Sequence, residues 1–169
     1  MAGNAVSKPL VGVVLSGGQS RRMGRDKAML EYKGSTLLAN QVDCLAALCD
    51  RVVVSGNYAG YDCIRDQLGD VGPLAGLHAV ATMFAESALL VLPVDMPAID
   101  SRHLSALINA DDVRHFQSQP LPAFFPDSRQ LLAAIALIVT DDVRGFSLAR
   151  LHRQMASRGI ALADVSAFA

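Results

Sequence analysis

The chain has 169 residues, 51% of them hydrophobic, with 15 Lys and Arg against 16 Asp and Glu and a formal net charge of −1. That length and apolar share describe one domain able to bury a real core and exclude a disordered chain. The charge argues against a general nucleic-acid binder, which is normally basic, and the longest apolar stretches fall far short of the roughly 20 residues that cross a bilayer.

Residues 1–8 are small and polar and read as a flexible tail, leaving 9–169 as a single domain. No charged and then apolar leader opens the sequence, so the expected location is cytoplasmic. Cys44, Cys49 and Cys63 are odd in number and lack paired metal spacing, which predicts reduced thiols.

The valine-rich run 10–15 is short, bounded by turn signals and reads as a buried parallel strand. A polar loop follows, with Gly17, Gly18 and Gly24 and the cations Arg21, Arg22, Arg25 and Lys27. Glycines let backbone N–H groups approach a ligand, and the cations suit a small anion, so strand, loop and basic cluster describe a phosphate cradle. An ordinary tight turn with a solvated basic face is the alternative. Neither the Walker A loop nor Gly-x-Gly-x-x-Gly is present.

Residues 30–34 predict an extended piece turning at Gly34, and Ser35 or Thr36 caps a helix over 37–48 striped by Leu38, Val42, Leu45 and Leu48. Residues 51–55 form a second buried strand, turned by Gly56-Asn57 at its carboxyl end, where ligands bind in open α/β sheets. Residues 64–66 suggest a short third strand, and Pro73 opens a helix running to 85. Residues 88–92 are another buried strand, ending at Pro93-Val94-Asp95-Met96-Pro97. Asp95 is either a turn cap or a hard oxygen ligand at the same edge as the glycine loop.

Ser101 is the expected N-cap of a helix over 101–110. Residues 119–126 read as a strand between prolines and 127–140 as a buried helix whose end, 136–139, could equally be strand. Residues 147–158 read as a helix stopped by Gly159, and 160–162 as a last strand. Alternating strands and helices predict an α/β fold, a three-layer α/β/α sandwich with a mostly parallel, Rossmann-like sheet. His78 reads as structural, and His103, His115 and His152 have no partner at metal spacing.

The pattern Leu15-Ser-Gly-Gly-x-Ser-Arg-Arg-Met-Gly-x-Asp26-Lys27-Ala28 resembles the loop of the molybdenum cofactor guanylyltransferases, within the wider nucleotidyltransferase family. Gly72-Pro73-Leu74-Ala75-Gly76 reproduces a second family motif, and Asp95-Met96-Pro97 resembles its strand-end Asp-x-Pro. The resemblance covers residues 10–105. Later, Leu121-Pro122 stands where the family has His-Pro, and residues 164–168 lack its Asn-x-Asn-Thr-Pro-Glu-Asp segment.

The resemblance implies transfer of GMP from GTP to the molybdopterin cofactor, giving the guanine dinucleotide form and pyrophosphate. Lys27, Arg22 and Asp95 would be catalytic, with Mg²⁺ on Asp95. Nucleotide contacts would come from Leu15, Ser16, Gly17, Gly18, Arg21, Lys27, Ser55, Asp66 and Asp95, with Asp70 competing with Asp66 and Asn57 close to Ser55. Transient contacts with molybdoenzymes or cofactor-synthesis proteins would follow, with neither nucleic acid nor membrane as partner. The alternatives are a relative using CTP or another phosphorylated acceptor, and a nucleotide- or cofactor-binding relative without catalysis.

Overall fold

A computed structural model of the chain describes residues 8–16, 26–68, 72–108, 111–141 and 147–162. Strand β1 (Leu10–Leu15) leads to a 3₁₀ turn at Lys27–Met29, the small strands β2 (Glu31–Tyr32) and β3 (Ser35–Thr36), and helix α1 (Leu37–Ala46). Then come β4 (Arg51–Ser55), β5 (Cys63–Ile64), α2 (Pro73–Met83) and β6 (Ala88–Pro93). The remainder is α3 (Ser101–Ser105), β7 (Arg114–Phe116), β8 (Ala123–Phe125), α4 (Ser128–Asp141), α5 (Leu148–Gln154) and β9 (Arg158–Ile160).

Seven strands form one sheet in the order β5-β4-β1-β6-β8-β7-β9, and β8 alone runs against the rest. Successive side chains of a strand face opposite ways, so each strand feeds two cores. Val11, Val13 and Leu15 of β1, with Leu89 and Val91 of β6, meet α2, α4 and α5 through Leu77, Leu131, Ile135 and Leu151. Val14, Leu90 and Leu92 meet α1 and α3 through Leu38, Leu45 and Leu104 on the other face. This is the expected three-layer sandwich. Among the described residues no helix is long and apolar enough to cross a membrane, and all three cysteines are free thiols.

Local departures from the expected elements have physical causes. Thr36 caps α1 by accepting from Ala39 N, but α1 ends at Ala46. The third strand is Cys63–Ile64, leaving Arg65 and Asp66 exposed beyond it. Asp100, not Ser101, caps α3, because its carboxylate accepts from Arg102 N and His103 N while the His103 ring accepts from Asp100 N. Residues 136–139 are helical within α4. Helix α5 ends before Gly159, as Ala156 turns through φ 48° and Ser157 N bonds back to His152 O. Arg158–Ile160 can then pair with β7, a strand the apolar pattern does not mark.

His152 is buried between α5 and the β7–β8 connection. Its Nε2 lies 2.7 Å from the Pro120 carbonyl and must donate, so Nδ1 accepts from Ser157 Oγ at 2.9 Å. Burial, with the His115 ring centroid 4.2 Å away, pushes its pKa down to about 4.

Of the expected features, residues 1–7 of the tail, Gly17 to Arg25 of the glycine loop, Asp70 and residues 164–168 lie outside the described residues.

Candidate active site

The parallel register brings three strand ends together: Leu15 stands opposite Ser55 of β4 on one side and Pro93 of β6 on the other. Open α/β sheets bind ligands at such carboxyl edges. Beyond the ladder, Ser16 Oγ donates to Ser55 O at 2.7 Å and Val94 N to Leu15 O at 3.0 Å. The exit of the chain towards the glycine loop is thus tied to both neighbouring strands.

The chain returns at Asp26. Its side chain caps the short turn that carries Lys27, accepting from Ala28 N at 3.1 Å and from Tyr58 Oη at 3.1 Å. Lys27 Nζ then lies 3.4 Å from Asp95 Oδ2, the side chains being 51% and 50% exposed. A half-exposed pair of this length contributes little to stability, but its two charges stand ready for ligands of opposite sign. Lys27 can donate to polyphosphate oxygens, and Asp95 can hold a hard cation.

Asp95 is exposed, yet the backbone on either side of it is firmly held. Gln41, buried on α1, donates to Met96 O at 2.8 Å and to Pro93 O at 3.4 Å. The donor set suits a cation that keeps most of its own waters. Asp95 offers one carboxylate, and no group of three or more His, Cys, Asp or Glu able to hold a metal occurs among the described residues. Mg²⁺ binds in this way, through one or two carboxylates plus substrate phosphates.

Ser55 is placed at the site but turned inward. It is 4% exposed, and a Cβ on Gly76 would stand 2.3 Å from its hydroxyl oxygen. Helix α2 can approach the strand ends this closely because residue 76 has no side chain. Gly56 shows the same constraint with φ 156°, since a Cβ there would meet Ser16 Oγ at 2.6 Å. Asn57 accepts from Arg65 at 2.8 Å.

The structure therefore joins Leu15, Ser16, Lys27, Ser55 and Asp95 and leaves Asp66 exposed past β5 at the sheet's outer end. Gly17, Gly18, Arg21 and Arg22 lie outside the described residues. Three residues not expected at the site hold it together: Asp26, Tyr58 and Gln41. Asp26 lies within the loop motif, and Gln41 is the polar position on the buried face of α1. Tyr58 carries no sequence signal of its role.

The chain is 36% identical to the molybdenum cofactor guanylyltransferase of Xanthomonas euvesicatoria pv. vesicatoria, over 89% of this chain and 82% of that protein. Its fold is similar to that of the molybdopterin-guanine dinucleotide biosynthesis protein A from Archaeoglobus fulgidus, with TM-score 0.64, 21% identity and coverage of 85% and 79%. It is also similar to the 2-C-methyl-D-erythritol 4-phosphate cytidylyltransferase of Thermus thermophilus, with TM-score 0.66, 13% identity and coverage of 93% and 90%. At these identities the two solved structures establish the fold alone. Residues 12–157 match the family model of the MobA-like NTP transferase domain, and the chain belongs to that family of nucleotidyltransferases.

Proposed function

We propose that the protein transfers GMP from GTP to the terminal phosphate of the molybdopterin cofactor, releasing pyrophosphate, with Mg²⁺ as the metal. The observation that carries this reading is the solvent-open Lys27–Asp95 pair, 3.4 Å apart, at the edge where β1, β4 and β6 end.

The reaction is an in-line displacement at the α-phosphorus, so the protein's work is positioning and charge neutralisation. Leu15, Ser16 and Gly17 contact the base along the loop's start. Ser55 supports them, its carbonyl accepting from Ser16 Oγ. Gly17 and Gly18 supply backbone donors to the phosphates, and Arg21 and Arg22 offset their charge. Lys27 leaves Asp95 for the polyphosphate and stabilises the charge developing on the leaving pyrophosphate. Asp95 would hold the metal, which would supply charge neutralisation for the phosphates. Asp66 would contact the nucleotide from beyond β5, whose Ile64 stands opposite Ser55.

The test is calorimetry of GTP, CTP and ATP, each with Mg²⁺, on wild type and Asp95→Ala, followed by pyrophosphate release with GTP and molybdopterin cofactor. GTP binding that weakens in the variant, with GTP-dependent pyrophosphate release, is expected. CTP binding in place of GTP would move the protein to a cytidylyl activity, and no nucleotide binding would overturn the proposal.

A further inference from the structure

Gln41 is 1% exposed, on the face of α1 that also buries Leu37, Leu38 and Leu45. Packing alone would be served by an apolar side chain, and a buried amide is costly unless its hydrogen bonds are made. Its two backbone contacts are both carbonyls, Met96 O at 2.8 Å and Pro93 O at 3.4 Å. The amide must therefore turn its NH₂ end towards them, since its oxygen would face two acceptors.

Those two carbonyls bracket Asp95. Between them, Val94 N is tied to Leu15 O at 3.0 Å, and one turn along α1 Cys44 Sγ lies 3.8 Å from Ile99 O. The exposed carboxylate thus stands on a short arch whose two feet share one buried donor group. We propose that Gln41 is a positioning residue for Asp95, fixing the backbone from which this carboxylate meets a divalent metal. The inference rests on the metal-binding reading of Asp95 given above.

Gln41→Met keeps an unbranched chain of similar volume and removes the donor. Mn²⁺ binding in the presence of GTP, followed by electron paramagnetic resonance, is compared for wild type, Gln41→Met and Asp95→Asn. GTP affinity without metal and thermal melting are measured alongside. The expected result is a folded Gln41→Met protein with unchanged metal-free GTP affinity and Mn²⁺ affinity weakened about tenfold, the lower range for losing an outer support of a metal ligand. A purely structural role would lower the melting temperature and leave the Mn²⁺ affinity of the folded protein at the wild-type value, which overturns the proposal. Weakened Mn²⁺ binding in Asp95→Asn beside wild-type binding in Gln41→Met sinks the positioning role alone. Unchanged binding in Asp95→Asn sinks the metal reading beneath it as well. Should Gln41→Met not fold, the wild-type protein still decides. The side-chain amide resonances of Gln41 should broaden on adding Mn²⁺ with GTP, and sharp resonances with Mn²⁺ bound refute the proposal.

Discussion

The phenol of Tyr58 donates to Asp26 Oδ1 at 3.1 Å, so the loop that follows β4 holds the turn that carries Lys27. Tyr58→Phe keeps the ring beside Gly56 and removes the hydroxyl that donates to Asp26. Stability should fall by about 1 kcal/mol, the usual worth of such a bond. The turnover number should drop severalfold while the KM for GTP changes less, because the lysine loses its alignment more than the site loses its contacts. Chemical denaturation and steady-state kinetics read the two effects separately.

Removing the lysine charge should separate chemistry from stability. Lys27→Met is expected to lower kcat by about 100-fold or more, as for loss of a donor aimed at developing charge. Its melting temperature should stay close to that of wild type, since the pair with Asp95 is half exposed. Asp95→Asn should show the same small change in melting and a raised metal requirement.

Gly76→Ala tests the contact between α2 and the strand ends. The new methyl would displace the Ser55 hydroxyl, 2.3 Å away, and also press Leu15 Cδ2 at 3.2 Å. The hydroxyl can rotate but the leucine is in the core, so a loss of about 1–3 kcal/mol is expected. Ser55→Ala in the same chain should restore part of it. A double-mutant cycle by urea denaturation measures the coupling.

His152 should make the protein acid-sensitive. Its pKa in the fold is about 4, below the unfolded value near 6.5, because burial disfavours the charged ring. The unfolded chain therefore binds more protons between those values, and stability falls as pH drops from about 6.5 to about 4. At about pH 5 the loss from this group is of order 2 kcal/mol. In His152→Gln that component of the slope should vanish, whatever the variant's absolute stability, as melting from about pH 7 to about pH 5 would reveal.

Much of the site is legible in the sequence because the chemistry sits in short, contiguous motifs. Leu10–Leu15, Arg51–Ser55 and Ala88–Pro93 are apolar runs closed by turn residues, and their parallel pairing puts Lys27 and Asp95 at one edge. What holds those two residues is not legible. Tyr58 meets Asp26 and Gln41 meets Met96 only across the fold, and no local pattern records such a contact. Ser55 is expected to face the ligand, but whether a strand's last side chain faces out or in depends on Gly76 in the next helix. Strand β7, Arg-His-Phe, has too few apolar residues to stand out, and it exists because β8 and β9 flank it.

The central place of β1 has a consequence for synthesis of the protein. Among the described strands it comes first, yet both of its partners, β4 and β6, come later in the chain, and β6 only past the middle of the 169 residues. Until Pro93 is available, a valine-rich strand has an unpaired edge, the condition under which chains associate with one another. A chain that holds β1 and β4 without β6 thus leaves the middle of its sheet open along one whole side of β1.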